Sequence, residues 1–174
     1  MTALRERTLE LADAFLKDVR HDLAAAIVQR FDLAPRIRTM HTRPGHATPE
    51  YRTLAIPSPP TGETSTTFLS LAIAHYARTK SPCAIVLAFE ATLEPGDDGP
   101  GTVLIAEARD RWGTRLFYIQ PYRTRGDRLV WGEPVGGGWR DPGEEEMILD
   151  PAFDPAPGER ETSEALPAPT SAVE

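Results

Sequence analysis

The chain has 174 residues, of which 40% are hydrophobic and 26% are charged, and its formal net charge is −7 at pH 7. This length and apolar content are typical of one domain with its own core, and the single cysteine, Cys83, excludes an intrachain disulfide or a thiolate metal cluster. No apolar run approaches the roughly 18 residues that a membrane-spanning helix needs, and charges occur throughout the N-terminal segment, so we expect a cytoplasmic protein that does not bind membranes.

The first half of the chain predicts two helices and two short strands. Apolar residues at steps of three and four predict an amphipathic helix over residues 3–31, which Pro35 limits. Strand candidates follow at 36–42 and 51–56, separated by turn residues. A second helix is predicted over 65–79, capped by Thr61, Thr64 or Ser65 and stopped by Pro82.

Four more strands are predicted at residues 84–93, 102–110, 114–122 and 128–131, the last three joined by tight turns. The resulting order is α-β-β-α-β-β-β-β. It indicates an α+β fold class, with an antiparallel sheet of about four to six strands and an N-terminal helix and a second helix packed on one face.

The negative charge is concentrated at the C-terminus. From Asp141 onward there are ten acidic residues and one arginine, which leaves 16 acidic and 18 basic residues in the first 140. We predict a single globular domain over 1–140 and an acidic, Pro-rich, largely disordered tail over 141–174, because the tail has few apolar groups to bury. Its one apolar stretch can dock back on the domain through Met147, Ile148, Leu149 and Phe153.

Two glutamates, Glu90 and Glu107, lie in adjacent predicted strands. Pairing Leu93 with Thr102 places both carboxylates on one mixed face with Arg109 and Tyr118, and leaves the other face apolar. A slip of one residue would bury one glutamate without a partner, which is costly, so we expect the shared face. That face is either an ordinary solvated surface or the paired-carboxylate site of a small hydrolase.

Arginines are frequent between positions 109 and 140. They suggest a surface that recognises phosphates or carboxylates, although solvent-facing strand positions in a lysine-poor chain would look the same. The positions concerned are Arg109, Arg111, Arg115, Arg123, Arg125, Arg128 and Arg140.

The sequence carries no strong catalytic or metal-binding motif. The spacing of His41 and His46 matches no zinc pattern, and phosphate-loop and nucleophile-elbow motifs are absent. We therefore predict no cofactor, no metal and no catalytic residue, and we interpret Cys83 as a buried small hydrophobe.

The main hypothesis is a non-catalytic binding or regulatory module that acts through protein–protein interaction, its partner being another protein. The alternatives are the small hydrolase described above and nucleic-acid or polyanion binding through the arginine-rich strands. The candidate binding residues are Glu90, Glu107, Arg109, Tyr118, Arg111, Arg115, Arg123, Arg125 and Arg128.

Overall fold

The structure, a computed structural model, describes residues 2–57, 65–96 and 99–154. Its elements in chain order are α1 (Thr2–Gln29), β1 (Arg36–His41), β2 (Glu50–Ala55), α2 (Thr66–Lys80), β3 (Ala84–Gly96), β4 (Gly99–Asp110), β5 (Arg115–Arg125), β6 (Arg128–Trp131), a 3-10 turn (Val135–Gly137) and α3 (Asp150–Phe153). In these ranges, no helix combines the length and the apolar character that crossing a bilayer requires.

The six strands form one antiparallel sheet in the order β2-β1-β3-β4-β5-β6. The predicted α+β fold class, with a helix at the N-terminus and a second helix packed on an antiparallel sheet, is confirmed. The two helices divide between the faces of the sheet, which we call the α1 face and the α2 face. Helices therefore cover both faces rather than the one face predicted, because β3 and β4 carry apolar side chains on both.

Each face has its own hydrophobic core. On the α1 face, Phe15 and Val19 of the helix pack with Val86 of β3 and Leu104 of β4. The α2 face has a second core, whose members include Leu69, Ile73, Ile85, Leu87 and Leu149. Because successive residues of β3 point to opposite faces, this strand contributes apolar side chains to both cores.

Local signals at the ends of α2 act as the sequence predicts. The Ser65 hydroxyl accepts a hydrogen bond from the Phe68 N–H at 3.1 Å, and Ser81 ends the helix in the left-handed region at φ 48°. Thr61 and Thr64, the other predicted caps, lie outside the described residues. Cys83 is buried as predicted, and its thiol donates to the Met40 carbonyl at 3.0 Å.

Residues 141–154 form a segment that we call the C-terminal arm. Just before it, Arg140 exchanges two backbone hydrogen bonds with Phe117, at 2.8 and 2.9 Å, and the chain then turns onto the α2 face. Met147 and Leu149 are buried there, and the docking predicted for this apolar stretch is confirmed. Of the tail predicted to be largely disordered, 141–174, residues 155–174 fall outside the described residues.

Candidate functional site

The register of β3 and β4 separates the two glutamates of the predicted hydrolase site. Thr92, rather than Leu93, lies opposite Thr102, so that Glu90 faces Leu104 and Glu107 faces Leu87. Residues directly opposite share a face, so Glu90 lies on the α1 face and Glu107 on the α2 face. The prediction that the two carboxylates share one mixed face is therefore wrong.

Glu107 is buried, with 3% of its surface exposed, yet its carboxylate has partners. The backbone N–H groups of Ile148 and Leu149, in the C-terminal arm, donate to its two oxygens at 3.1 and 3.0 Å. These bonds supply the compensation that a buried charge needs. Burial raises the pKa of Glu107 above its ordinary value, and the two N–H groups oppose that rise.

Arg109 and Arg115 bind the same arm. One Arg109 nitrogen lies 3.0 Å from Asp150 and another 2.6 Å from Asp154. Arg115 donates to both oxygens of Asp150, at 3.1 and 2.9 Å, in a bidentate pair. Three of the predicted binding residues, Glu107, Arg109 and Arg115, thus hold the arm on the sheet.

Glu90 and Tyr118 lie on the α1 face, in two separate groups of hydrogen bonds. The Tyr122 hydroxyl donates to Glu90, and burial together with this contact raises the pKa of Tyr122. Tyr118 donates to Gln120 at 2.7 Å, and Arg20 of α1 donates to both Gln120 and Tyr118. The predicted register placed Tyr118 on the same face as Arg109, but the two side chains lie on opposite faces of the sheet.

The remaining arginines separate as well. Arg111 lies in the β4–β5 turn with its guanidinium 5.0 Å from the centre of the Trp112 ring. Arg123, Arg125 and Arg128 lie at the opposite end of β5, where they flank the β5–β6 turn. The predicted arginine-rich surface is thus divided between the arm, one turn and this hairpin.

The β5–β6 hairpin gathers its three arginines on one face. Arg125 pairs directly with Arg128, and Arg123 with Val130, so the four side chains share the α2 face. All four are exposed, and the three arginines make no ion pair with any residue that the structure describes.

Exposed apolar side chains share the α2 face with these arginines. Leu93 of β3 is 53% exposed and Val130 is 44% exposed. Further along the same face, Phe89, Ile105 and Ile119 are half-buried and directly opposite one another across three strands. We call Leu93, Arg123, Arg125, Arg128 and Val130 the hairpin surface. It combines exposed apolar side chains with three positively charged guanidinium groups.

A groove of about 590 Å³ lies between α2 and the C-terminal arm. Its walls include hydroxyls of α2 and the carboxylates of Asp150 and Asp154. Both carboxylates are already bound by arginines of the sheet. The carboxylates that line this groove therefore serve to attach the C-terminal arm to the sheet, and we do not assign a ligand to the groove.

Histidines and acids do not come together as a metal site within residues 2–57, 65–96 and 99–154, where no three potential ligands cluster. His41, one of the two histidines considered in the sequence, is buried beside α2. Its Nε2 lies 2.9 Å from the Thr39 hydroxyl and 3.5 Å from that of Tyr76. Burial, with Arg52 nearby, lowers the pKa of His41, which favours the neutral ring.

The residues that sequence reasoning missed are the partners of Glu107. Strand alternation describes which side chains share a face, but the N–H groups of Ile148 and Leu149 come from a segment some forty positions later. The available signal was the apolar stretch Met147–Leu149 inside an acidic run, which indicates docking but not the residue it meets.

Comparisons with known proteins identify no relative. No protein-family model matches the chain, and neither a curated protein nor a solved structure shows significant similarity to it.

Proposed function

We propose that the chain is a non-catalytic binding module that acts through protein–protein interaction and receives an acidic segment of its partner on the hairpin surface. The observation that supports this is the grouping of Arg123, Arg125 and Arg128, exposed and without described ion pairs, beside exposed Leu93 and Val130. Arginine and apolar side chains together are typical of the energetically important parts of protein interfaces.

The chemistry of the hairpin surface favours carboxylates as its ligand. A guanidinium presents a planar fork of donors that matches a carboxylate in two parallel hydrogen bonds. Leu93 and Val130 add contact area that a partner with apolar residues among its acids would cover. A flexible acidic segment with interspersed apolar residues combines both kinds of contact.

The placement of the carboxylates supports a binding role over a hydrolytic one. Glu90 and Glu107 lie on opposite faces of the sheet, and Glu107 is engaged with the C-terminal arm. Paired-carboxylate catalysis needs two acids that face one substrate. The arrangement on which the hydrolase hypothesis depended is therefore missing from this pair.

The test compares the wild-type chain with the triple variant Arg123→Glu/Arg125→Glu/Arg128→Glu as baits in a lysate of the organism that encodes it. We expect one protein to be recovered with the wild type and about tenfold less of it with the variant, since three exposed ion pairs of about 0.5 kcal/mol each amount to that factor. Recovery is quantified by mass spectrometry.

The matched control reverses three exposed arginines elsewhere, in the variant Arg5→Glu/Arg7→Glu/Arg78→Glu. It carries the same change in net charge, so a general charge effect would weaken both variants equally. Equal recovery with the hairpin variant and the wild type would refute the proposed surface.

Polyanion binding is the second candidate, favoured by the same three arginines. Filter binding of a single-stranded oligonucleotide across a salt series separates it from the first. If phosphates are contacted, the affinity falls steeply and linearly on a log–log plot, and the hairpin variant has a shallower slope.

A further inference from the structure

The sheet has two edge strands, β2 and β6, and β2 is the longer of the two, with six residues against four. β2 is the terminal strand in the sheet order, and no strand of the described ranges pairs with its outer side. An open edge carries unpaired backbone N–H and C=O groups, which is a template for adding another strand.

The outward-pointing backbone groups of β2 follow from its pairing with β1. The Ile56 N–H donates to the Pro35 carbonyl at 2.7 Å, which makes these residues a hydrogen-bonded pair. Since such pairs alternate along an antiparallel ladder, Glu50, Arg52 and Leu54 bond to β1. The backbone groups of Tyr51 and Thr53 therefore point away from the sheet.

The side chains of β2 divide between the two faces. Tyr51 lies opposite Met40, a member of the α1-face core, and is 54% exposed. Glu50 and Arg52 lie on the α2 face, two residues apart and oppositely charged. They bind each other at 2.9 Å, and Arg43 also binds Glu50.

We propose that β2 pairs with β2 of a second copy of this chain, antiparallel and centred on Tyr51. In this register the two Tyr51 residues exchange both backbone hydrogen bonds, and each Thr53 N–H meets the Pro49 carbonyl of the other copy. Glu50 of each copy lies opposite Arg52 of the other, so the four charges form one alternating cluster on the α2 face.

Charge complementarity selects this register over its neighbours. A shift by one pair places either the two Arg52 residues or, in the other direction, the two Glu50 residues directly opposite each other, which like charges oppose. A further shift, centred on Thr53, sets Arg52 opposite Leu54 and Glu50 opposite Ile56, where the charges have no cross-strand partner. The same self-complementarity favours a second copy of this chain over an unrelated strand.

The α1 face gives the paired tyrosines a second surface. A groove of about 550 Å³ lies between α1 and β2, and Leu11, Ala14, Pro49 and Tyr51 are among its lining residues. Both rings can pack along this groove when the strands join. Because β2 has six residues, the interface is short, and we expect a weak, concentration-dependent dimer.

Analytical ultracentrifugation over a concentration series tests the proposal. We expect the weight-average mass of the wild type to rise towards twice that of the monomer. Tyr51→Pro, which removes the central outward N–H at an edge position that tolerates proline, is expected to stay monomeric. Thermal unfolding of each variant verifies that the fold is retained.

Charge reversal tests the register. Glu50→Arg alone and Arg52→Glu alone are each expected to weaken dimerisation by about tenfold, because each sets like charges opposite each other. The double variant Glu50→Arg/Arg52→Glu restores the alternation and is expected to recover the wild-type association. Glu133→Arg, an exposed acid on the far side of the sheet, is the matched control and is expected to dimerise normally.

Three results would overturn the inference: a wild type that stays monomeric at every concentration, a dimer that survives Tyr51→Pro, or a single charge reversal that dimerises as the wild type does. None of them bears on the hairpin surface, whose three arginines lie at the other end of the sheet order.

Discussion

Glu107 places an ionisable group in the core of the α2 face. Its carboxylate accepts two backbone N–H groups from the C-terminal arm, and these bonds favour the ionised form. Loss of hydration favours the protonated form more strongly, so the pKa of Glu107 in the folded chain lies above its ordinary value. The folded state therefore binds more protons at this residue than the unfolded state does.

This shift gives a pH dependence of known sign. A raised folded pKa contributes stability that is fully present below the unfolded pKa of about 4.3 and is lost as the pH rises through the folded pKa. Glu107→Gln keeps the shape of the side chain but does not titrate. We expect the free energy of unfolding of the wild type, minus that of Glu107→Gln, to decrease as the pH rises from about 4 towards neutrality.

Urea denaturation of the two proteins at matched pH values measures this difference, and the contributions of all other titrating groups cancel in it. A difference that stays constant would show that the N–H bonds of Ile148 and Leu149 balance the loss of hydration, and one that grows with pH would show that they outweigh it.

At the scale of elements, one carboxylate makes several of the contacts that hold the C-terminal arm on the sheet. Asp150 binds Arg109 and Arg115 and accepts the Met147 N–H at 2.9 Å. It thereby fixes the turn that buries Met147 and Leu149. Arg109 is itself 8% exposed, so the loss of Asp150 would leave this nearly buried cation with one described ion-pair partner, Asp154, whose side chain is 59% exposed.

We expect Asp150→Asn to lower the free energy of unfolding by about 2–4 kcal/mol, the usual cost of breaking such a pair and its hydrogen bonds. Chemical denaturation measures the change. Glu144→Gln removes an exposed acid of the same arm and is expected to change stability by less than about 0.5 kcal/mol. Similar effects of the two substitutions would show that Asp150 contributes only general charge.

The identity and order of the elements could be predicted because each depends on local periodicity and turn residues. The register of β3 and β4 could not be predicted. Pairing Thr102 with Leu93 or with Thr92 differs by one residue, and a shift of one residue changes which side chains of the two strands share a face. The choice between them assumed that Glu107 had no buried partner. Its partners lie in the C-terminal arm, which strand alternation does not describe.

The hairpin surface could be predicted only in part, because the sequence does not show which arginines have partners from distant segments. Arg123, Arg125 and Arg128 were predicted as surface residues from composition, and they lie exposed. Arg109 and Arg115 look identical in the sequence, yet they hold the arm, because only the fold brings Asp150 to them.

For the whole molecule, the two cores share one set of strands. Val86 and Leu87 are consecutive in β3, yet one belongs to the α1 face and the other to the α2 face. If either helix leaves the sheet, the apolar residues on its face of β3 become exposed, although the other face of the same strand is still covered by the other helix. The two cores are thus coupled through β3 and β4, and we expect them to unfold together.

Native-state hydrogen exchange tests this coupling. We expect the amides at the centres of α1 and α2, near Phe15 and Ile73, to open with the same free energy as those of Val86 and Leu87, and this value to equal the global free energy of unfolding. At protein concentrations too low for self-association, the outward amides of Tyr51 and Thr53 exchange faster, because β1 does not bond to them. An α1 that opens well below the global value while α2 stays protected would mean that the two faces unfold independently, and that β3 can keep its place in the sheet with one face bare.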